Sequence, residues 1–153
     1  MKNKGTVTVN LTIGFGNNLF QYVCARLIAE NNGLHLRHRA LPEMGISACD
    51  APVDRNLPTL VVNDSNYKKV LFANNVENYN VVVNGYFEDY KFVKSNIDKI
   101  RTWLPKTEIT NKKDLILHLR LQNRLIQVSH NKNHIKADSF ISAIKQFDYD
   151  KLH

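Results

Sequence analysis

Two segments carry side chains whose types and spacing can do chemistry. The first is Gly14-Phe15-Gly16-Asn17-Asn18-Leu19-Phe20-Gln21-Tyr22. Glycines two positions apart let backbone come close to a ligand, and a helix starting there aims its free amides at an anion. Asn17, Asn18 and Gln21 add neutral groups for sugar hydroxyls or phosphate. The second segment is Leu115-Ile116-Leu117-His118-Leu119-Arg120-Leu121-Gln122-Asn123-Arg124. An arginine placed there, after an apolar run, can meet two phosphate oxygens with one planar fork. Both segments put polar chemistry directly after a strand, where open α/β sheets build their crevices.

Each segment also has a plainer reading. The first lacks the third glycine of the dinucleotide fingerprint. A strand-to-helix turn capped by Asn18 explains it equally well. His118 can be a core histidine bonded across a sheet, and Arg120 a loop ion-pair residue. Arg124 lies close enough in sequence to assist Arg120. His130 and His134 have a helical metal-ligand spacing, but the residues around them read as a loop and no acidic partner accompanies them. No metal site is expected. Asp50, Asp54, Asp64 and Asp89 are scattered, so no general base stands out. No serine occupies a recognisable nucleophile turn, so a Ser-His-Asp hydrolase is unsupported.

The elements that position these residues follow from periodicity. Gly5 to Leu11 alternates apolar and polar residues as a strand does. Helical spacing runs from Leu19 to Glu30 and ends at Asn31-Asn32-Gly33, which suits a left-handed cap. Leu34 to Arg37, Thr59 to Val62 and Asn80 to Phe87 read as strands. Ala40 to Asn56 holds Pro42, Gly45 and Pro52 and reads as loop. Asn66 to Phe72 is ambiguous, and Asn74-Asn75 reads as a turn. Glu88 to Asn96 and Ile97 to Trp103 read as short helices. Asp114 to Leu119 reads as a strand buried on both faces. Residues 120–133 read as a long loop. Asp138 is placed to cap a helix holding Phe140, Ile141, Ile144 and Phe147. The pattern is α/β, not a helical bundle.

A length of 153 residues allows one sizeable domain with its own core. Charged residues are 23%, hydrophobic residues 43% and asparagines 19 in number, with aliphatic runs throughout. That excludes a disordered chain. The formal charge of +7 favours anionic ligands without choosing among them. Lys2 and Lys4, Lys68 and Lys69, and Lys112 and Lys113 are spread as a solvated surface is. No compact basic-aromatic repeat points to a specific nucleic-acid partner. Cys24 and Cys49 read as free thiols of a reducing compartment. No signal peptide or membrane-spanning run is seen, which fits a cytoplasmic or peripheral-membrane setting.

The first segment resembles the opening signature of the bacterial-type α-1,2-fucosyltransferases, relatives of the α-1,6-fucosyltransferases. Gly14, Gly16, Asn17, Phe20, Gln21 and Tyr22 match; the family commonly has Gln where Asn18 stands. Arg26, Leu27, Ala29 and Gly33 continue the pattern. Asn84-Gly85-Tyr86-Phe87-Glu88 resembles the family's Gly-Tyr-Phe-Gln stretch, with Glu88 in place of Gln. Ile100-Arg101 and Trp103-Leu104 resemble the end of its next helix. His118 and Arg120 match the start of the family's His-x-Arg-Arg-Gly-Asp. Leu121, Gln122 and Asn123 depart from it.

The resemblance covers nearly the whole chain and implies the Rossmann-like N-terminal half of a GT-B-type glycosyltransferase, with the second half absent. The implied fold is a mainly parallel sheet flanked by helices. The implied reaction moves fucose from GDP-fucose to a galactose-containing acceptor, with no cofactor or metal required. His118 and Arg120 would be catalytic. Gly14, Gly16, Asn17, Gln21, Arg120 and Arg124 would bind the donor. Tyr86, Phe87, Tyr90 and Phe92 either pack the domain or form a platform for the acceptor sugar. Losing one charge-assisted contact at Leu121 costs roughly 1.5–3 kcal/mol. The alternative is a non-catalytic glycan- or nucleotide-binding remnant, and the isolated chain is expected to be inactive or incomplete.

Overall fold

Short runs of β-branched residues set three of the four strands of the main sheet. In the computed structural model, which describes residues 4–12, 14–105, 113–117 and 137–153, Thr6–Val9 forms β1, His35–Arg37 β2, Thr59–Val62 β3 and Asn80–Val83 β4. They make a four-stranded parallel sheet in the order β2-β1-β4-β3. Val7 pairs with Leu36 on one side and Val81 on the other, and Val81 in turn with Leu60. Side chains alternate across a strand, so these residues and Val9, Val83 and Val62 share one face.

That face carries the core. Helix α1 (Phe15–Asn32) joins β1 to β2, and α2 (Tyr67–Leu71) joins β3 to β4. Both crossovers step the same way along the sheet, and right-handed connection predicts both helices on one face. They touch each other, and Cys24, Leu27, Ile28, Tyr67, Val70 and Leu71 share one apolar cluster with the valine face. Two further helices, α3 (Tyr90–Ser95) and α4 (Ile97–Arg101), add Phe92 and Ile100 to it. Helix α1 ends at Gly33, whose φ of 63° is the left-handed cap expected there.

The opposite face is dressed differently. The connection from β2 to β3 steps the other way along the sheet, and residues 52–57 cross beneath this face. The Thr6 hydroxyl donates to Pro52 O at 2.6 Å, and the Asn80 amide donates to Asp54 O at 2.6 Å. Further along, Thr8 and Val82 are half-buried and Val61 is 50% exposed.

Three expectations need correction. Asn80 to Phe87 is strand only as far as Val83, because the chain then turns at Phe87. Asp138 lies inside the first turn of helix α5 (Ala137–Ile144) and not at its cap. Of Asp114 to Leu119, only Asp114–Leu115 is strand (β5) among the described residues, paired in parallel with β6 (Lys151–Leu152). Ile116 is 78% exposed, so the apolar run is not buried on both faces. A two-residue pairing gives it no second layer. The chain divides into two compact units, Met1–Lys106 and Thr107–His153, and this small sheet belongs to the second.

Both cysteines are free; Cys24 is buried in the core and Cys49 is exposed. Burial, and secondarily the charge of Asp64, push the Cys24 thiol up to about 12. A thiol dye should therefore titrate one cysteine quickly in the folded protein and the other only after denaturation. Rapid reaction of both would contradict this packing. Among the described residues, no helix is long and apolar enough to cross a membrane.

Candidate functional site

The carboxyl ends of β1, β3 and β4 lead into three short segments that carry the polar groups. After β1, Gly14 starts α1 with φ 104° and ψ 122°, and no side chain caps the helix. This corrects the expected Asn18 cap. The backbone freedom of Gly14 lets the helix begin a turn earlier, so Asn18 lies within its first turn and its N–H donates to Gly14 O at 3.1 Å. Asn18 is buried, and its Oδ1 has no partner among the described residues. Asn17 is half-buried beside it.

Gly14 and Gly16 are exposed, and a Cβ at either would meet nothing within 4 Å. Gly14 is required by its φ. Gly16 is demanded by neither its backbone nor its packing, and it leaves bare backbone facing open space at the start of α1.

Gln21 takes a different place from Asn17. It is 2% exposed, and its side-chain amide is spent within the protein. Its Oε1 accepts from the Thr12 N–H at 3.1 Å and the Thr12 hydroxyl at 3.3 Å, while its Nε2 donates to Gly85 O at 2.7 Å. Gln21 thus ties the segment after β1 to the segment after β4. The next residue, Tyr22, is buried against His38 and Trp103, and Arg26, one turn further on, donates to its hydroxyl at 2.6 Å. The Arg26 guanidinium also lies 4.6 Å from the centre of the Trp103 ring. These residues fix the helix.

Beyond β3, Asp64 holds the segment after β4. Its two oxygens accept from the Tyr86 N–H at 3.1 Å and the Phe87 N–H at 2.6 Å. Phe87 is buried with φ 56°, an uncommon conformation for a bulky residue. Asp89 caps α3 through Phe92 N–H and accepts from the Tyr67 hydroxyl at 2.9 Å and Lys68 Nζ at 2.6 Å. These groups and Glu88 line a cavity of about 380 Å³. Tyr86 and Tyr90 are exposed, whereas Phe87 and Phe92 are core, so the four aromatics divide between the two readings. Sequence reasoning missed the roles of Asp64 and Asp89. A signal was present in the acceptor side chains directly following β3 and preceding α3.

Lys68, then the Phe92 amide and the Tyr67 hydroxyl, hold the Asp89 carboxyl well below the usual carboxylate range. The folded state thus favours the ionised form. This contribution to stability is present above the ordinary range and is lost as pH falls through and below it. Urea midpoints should drop below about pH 4 in the wild type, and Asp89→Asn should shallow that drop. An identical acid limb in the variant would rule out this linkage.

Among the described residues, no group of three His, Cys, Asp or Glu side chains can hold a metal ion. His118, Arg120, Arg124, His130 and His134 lie outside the described residues. The structure places Gly14, Gly16 and Asn17 at the start of α1, with Gln21 buried one turn further along. No protein-family model, curated protein or solved structure matches this chain.

Proposed function

We propose that this chain is a fucosyltransferase-like domain, the Rossmann-like N-terminal half of a GT-B-type enzyme. In the proposed reaction an acceptor hydroxyl oxygen forms a bond to the anomeric carbon of fucose. The bond from that carbon to the diphosphate breaks, GDP leaves, and the hydroxyl proton is released. Configuration at the carbon inverts. In this reading Arg120, helped by Arg124, would meet the charge that grows on the diphosphate, and His118 would also be catalytic. Gly14, Gly16 and Asn17 line the crevice, and Gln21 braces it. Tyr86 and Glu88 offer an aromatic face and a carboxylate to the acceptor sugar.

The observation that carries this reading is the joining of two resemblance segments by one side chain. Gln21, from the first, bonds Gly85, from the second, at the carboxyl edge of a parallel sheet. Leu121 and Asn123, which replace an arginine and an aspartate of the resembled family, favour a second reading: ligand binding without turnover.

Calorimetry with GDP-fucose tests the proposal on wild type, Arg120→Ala and Gly16→Ala. Gly16→Ala adds a side chain in open space and should fold at least as well as wild type. If Gly16 faces the donor, this variant binds it more weakly despite unimpaired stability. Arg120→Ala should also lose binding. A folded wild type that binds no GDP-fucose would overturn the donor assignment.

A further inference from the structure

A second crevice of the sheet has two arginines and one carboxylate on its lining. The connections leaving β1 and β2 part company at their carboxyl ends. Helix α1 leaves β1 toward the valine face, while the chain leaving β2 crosses beneath the other, where Pro52 O accepts from Thr6. Adjacent parallel strands whose connections separate to opposite faces leave a crevice between them, and ligands of open α/β sheets bind in such places. A cavity of about 590 Å³ lies there, within the usual size of small-molecule sites.

Its lining is suited to phosphate. Thr8 and Arg37 are register partners across β1 and β2. Arg37 Nε donates to Asp50 at 2.8 Å, which orients the guanidinium and leaves its two terminal nitrogens without a protein partner among the described residues. Arg39 donates from one terminal nitrogen to Thr12 O at 2.9 Å. That bond holds Arg39 to the segment leading into the glycine turn. The arginines outnumber Asp50, the single carboxylate on the lining, and Leu11 and Ala48 add apolar wall. The 380 Å³ cavity has the reverse balance, with Asp64, Glu88 and Asp89 against Lys68. A phosphorylated ligand is favoured in the first and repelled from the second.

We infer that the crevice between the carboxyl ends of β1 and β2 binds the diphosphate of a nucleotide, with Arg37 and Arg39 as its phosphate-binding residues. This site is distinct from the donor crevice proposed above and does not rest on the transferase reading.

Calorimetry with inorganic pyrophosphate, ADP and GDP tests the assignment on wild type, Arg37→Ala, Arg39→Ala and Asp50→Asn. Each arginine variant should weaken pyrophosphate and nucleotide binding by about tenfold or more. Asp50→Asn removes the carboxylate that competes for Arg37 and should tighten it, a gain that misfolding cannot imitate. Pyrophosphate and ADP binding with these responses, but no binding of GDP or GDP-fucose, would support the site while sinking the transferase reading. GDP binding unchanged in both arginine variants would overturn the site and leave that reading standing. A folded wild type that binds none of the three ligands would overturn the site.

Discussion

Gly5→Ala should unfold the amino-terminal unit or destabilise it by about 3 kcal/mol or more. Gly5 precedes β1 and is held from two sides. Its N–H donates to Glu77 O at 3.2 Å, and its carbonyl accepts from His35 N–H at 3.1 Å. A Cβ built there collides with the carbonyl oxygen and carbon of Tyr79. Those are backbone atoms directly ahead of β4, so no rotamer change relieves the clash. Relief requires moving β1 away from β4, and the pairing of Val7 with Val81 forbids that without loss of the central register. Overpacking typically costs about 1–3 kcal/mol where side chains can yield, and here they cannot. Against a typical total of about 5–15 kcal/mol, the loss is severe. Urea unfolding followed by circular dichroism measures it. A variant within about 1 kcal/mol of wild type would show that the two strands do not approach so closely.

Phe87→Ala should cost about 3–5 kcal/mol, because it empties one of the largest fully buried sites in the unit. The more discriminating result is the comparison with Phe87→Gly. Glycine ordinarily costs about 0.5–1 kcal/mol more than alanine through backbone entropy. At φ 56°, however, alanine retains a strain on the order of 1–3 kcal/mol that glycine escapes. Phe87→Gly should therefore be as stable as Phe87→Ala, or more so. A glycine variant weaker by the ordinary margin would mean that the residue does not adopt this turn. Parallel denaturant titrations of the two variants decide it.

Phe87 also shows where sequence reading stopped. Thr59 to Val62 and the Gly33 cap were legible because β-branched runs and a glycine after a helical period state their conformation locally. The end of β4 was not, since Tyr86 and Phe87 have strong strand propensity. What turns the chain there is Asp64, more than twenty positions earlier, binding their two amides. A long-range acceptor overrides local preference. Likewise Asn18 has good capping chemistry, but Gly14 permits an earlier start and Asn18 is carried inside. Helix α2 was ambiguous because its five residues are too few to display a period. Of the candidate site, the glycine turn was legible as a turn. Gln21 was legible as polar but not as buried, because only Gly85, 64 positions away, uses its Nε2.

The strand order has a consequence for how the chain acquires its structure. Residues Thr6 and Asn80 bond at the centre of the sheet, yet they are 74 positions apart. Everything that pairs β1 with β2 is available early in synthesis, but the other flank of β1 waits for β4. Closing such a distance costs chain entropy before the pairing repays it, and sheets dominated by remote contacts fold slowly. In the interval Val7 and Val9 have no neighbour on that side, and an unpaired apolar strand is a template for association with other chains. Val7 and Val9, buried in the finished unit, thus keep one strand edge open until the chain as far as β4 has been made.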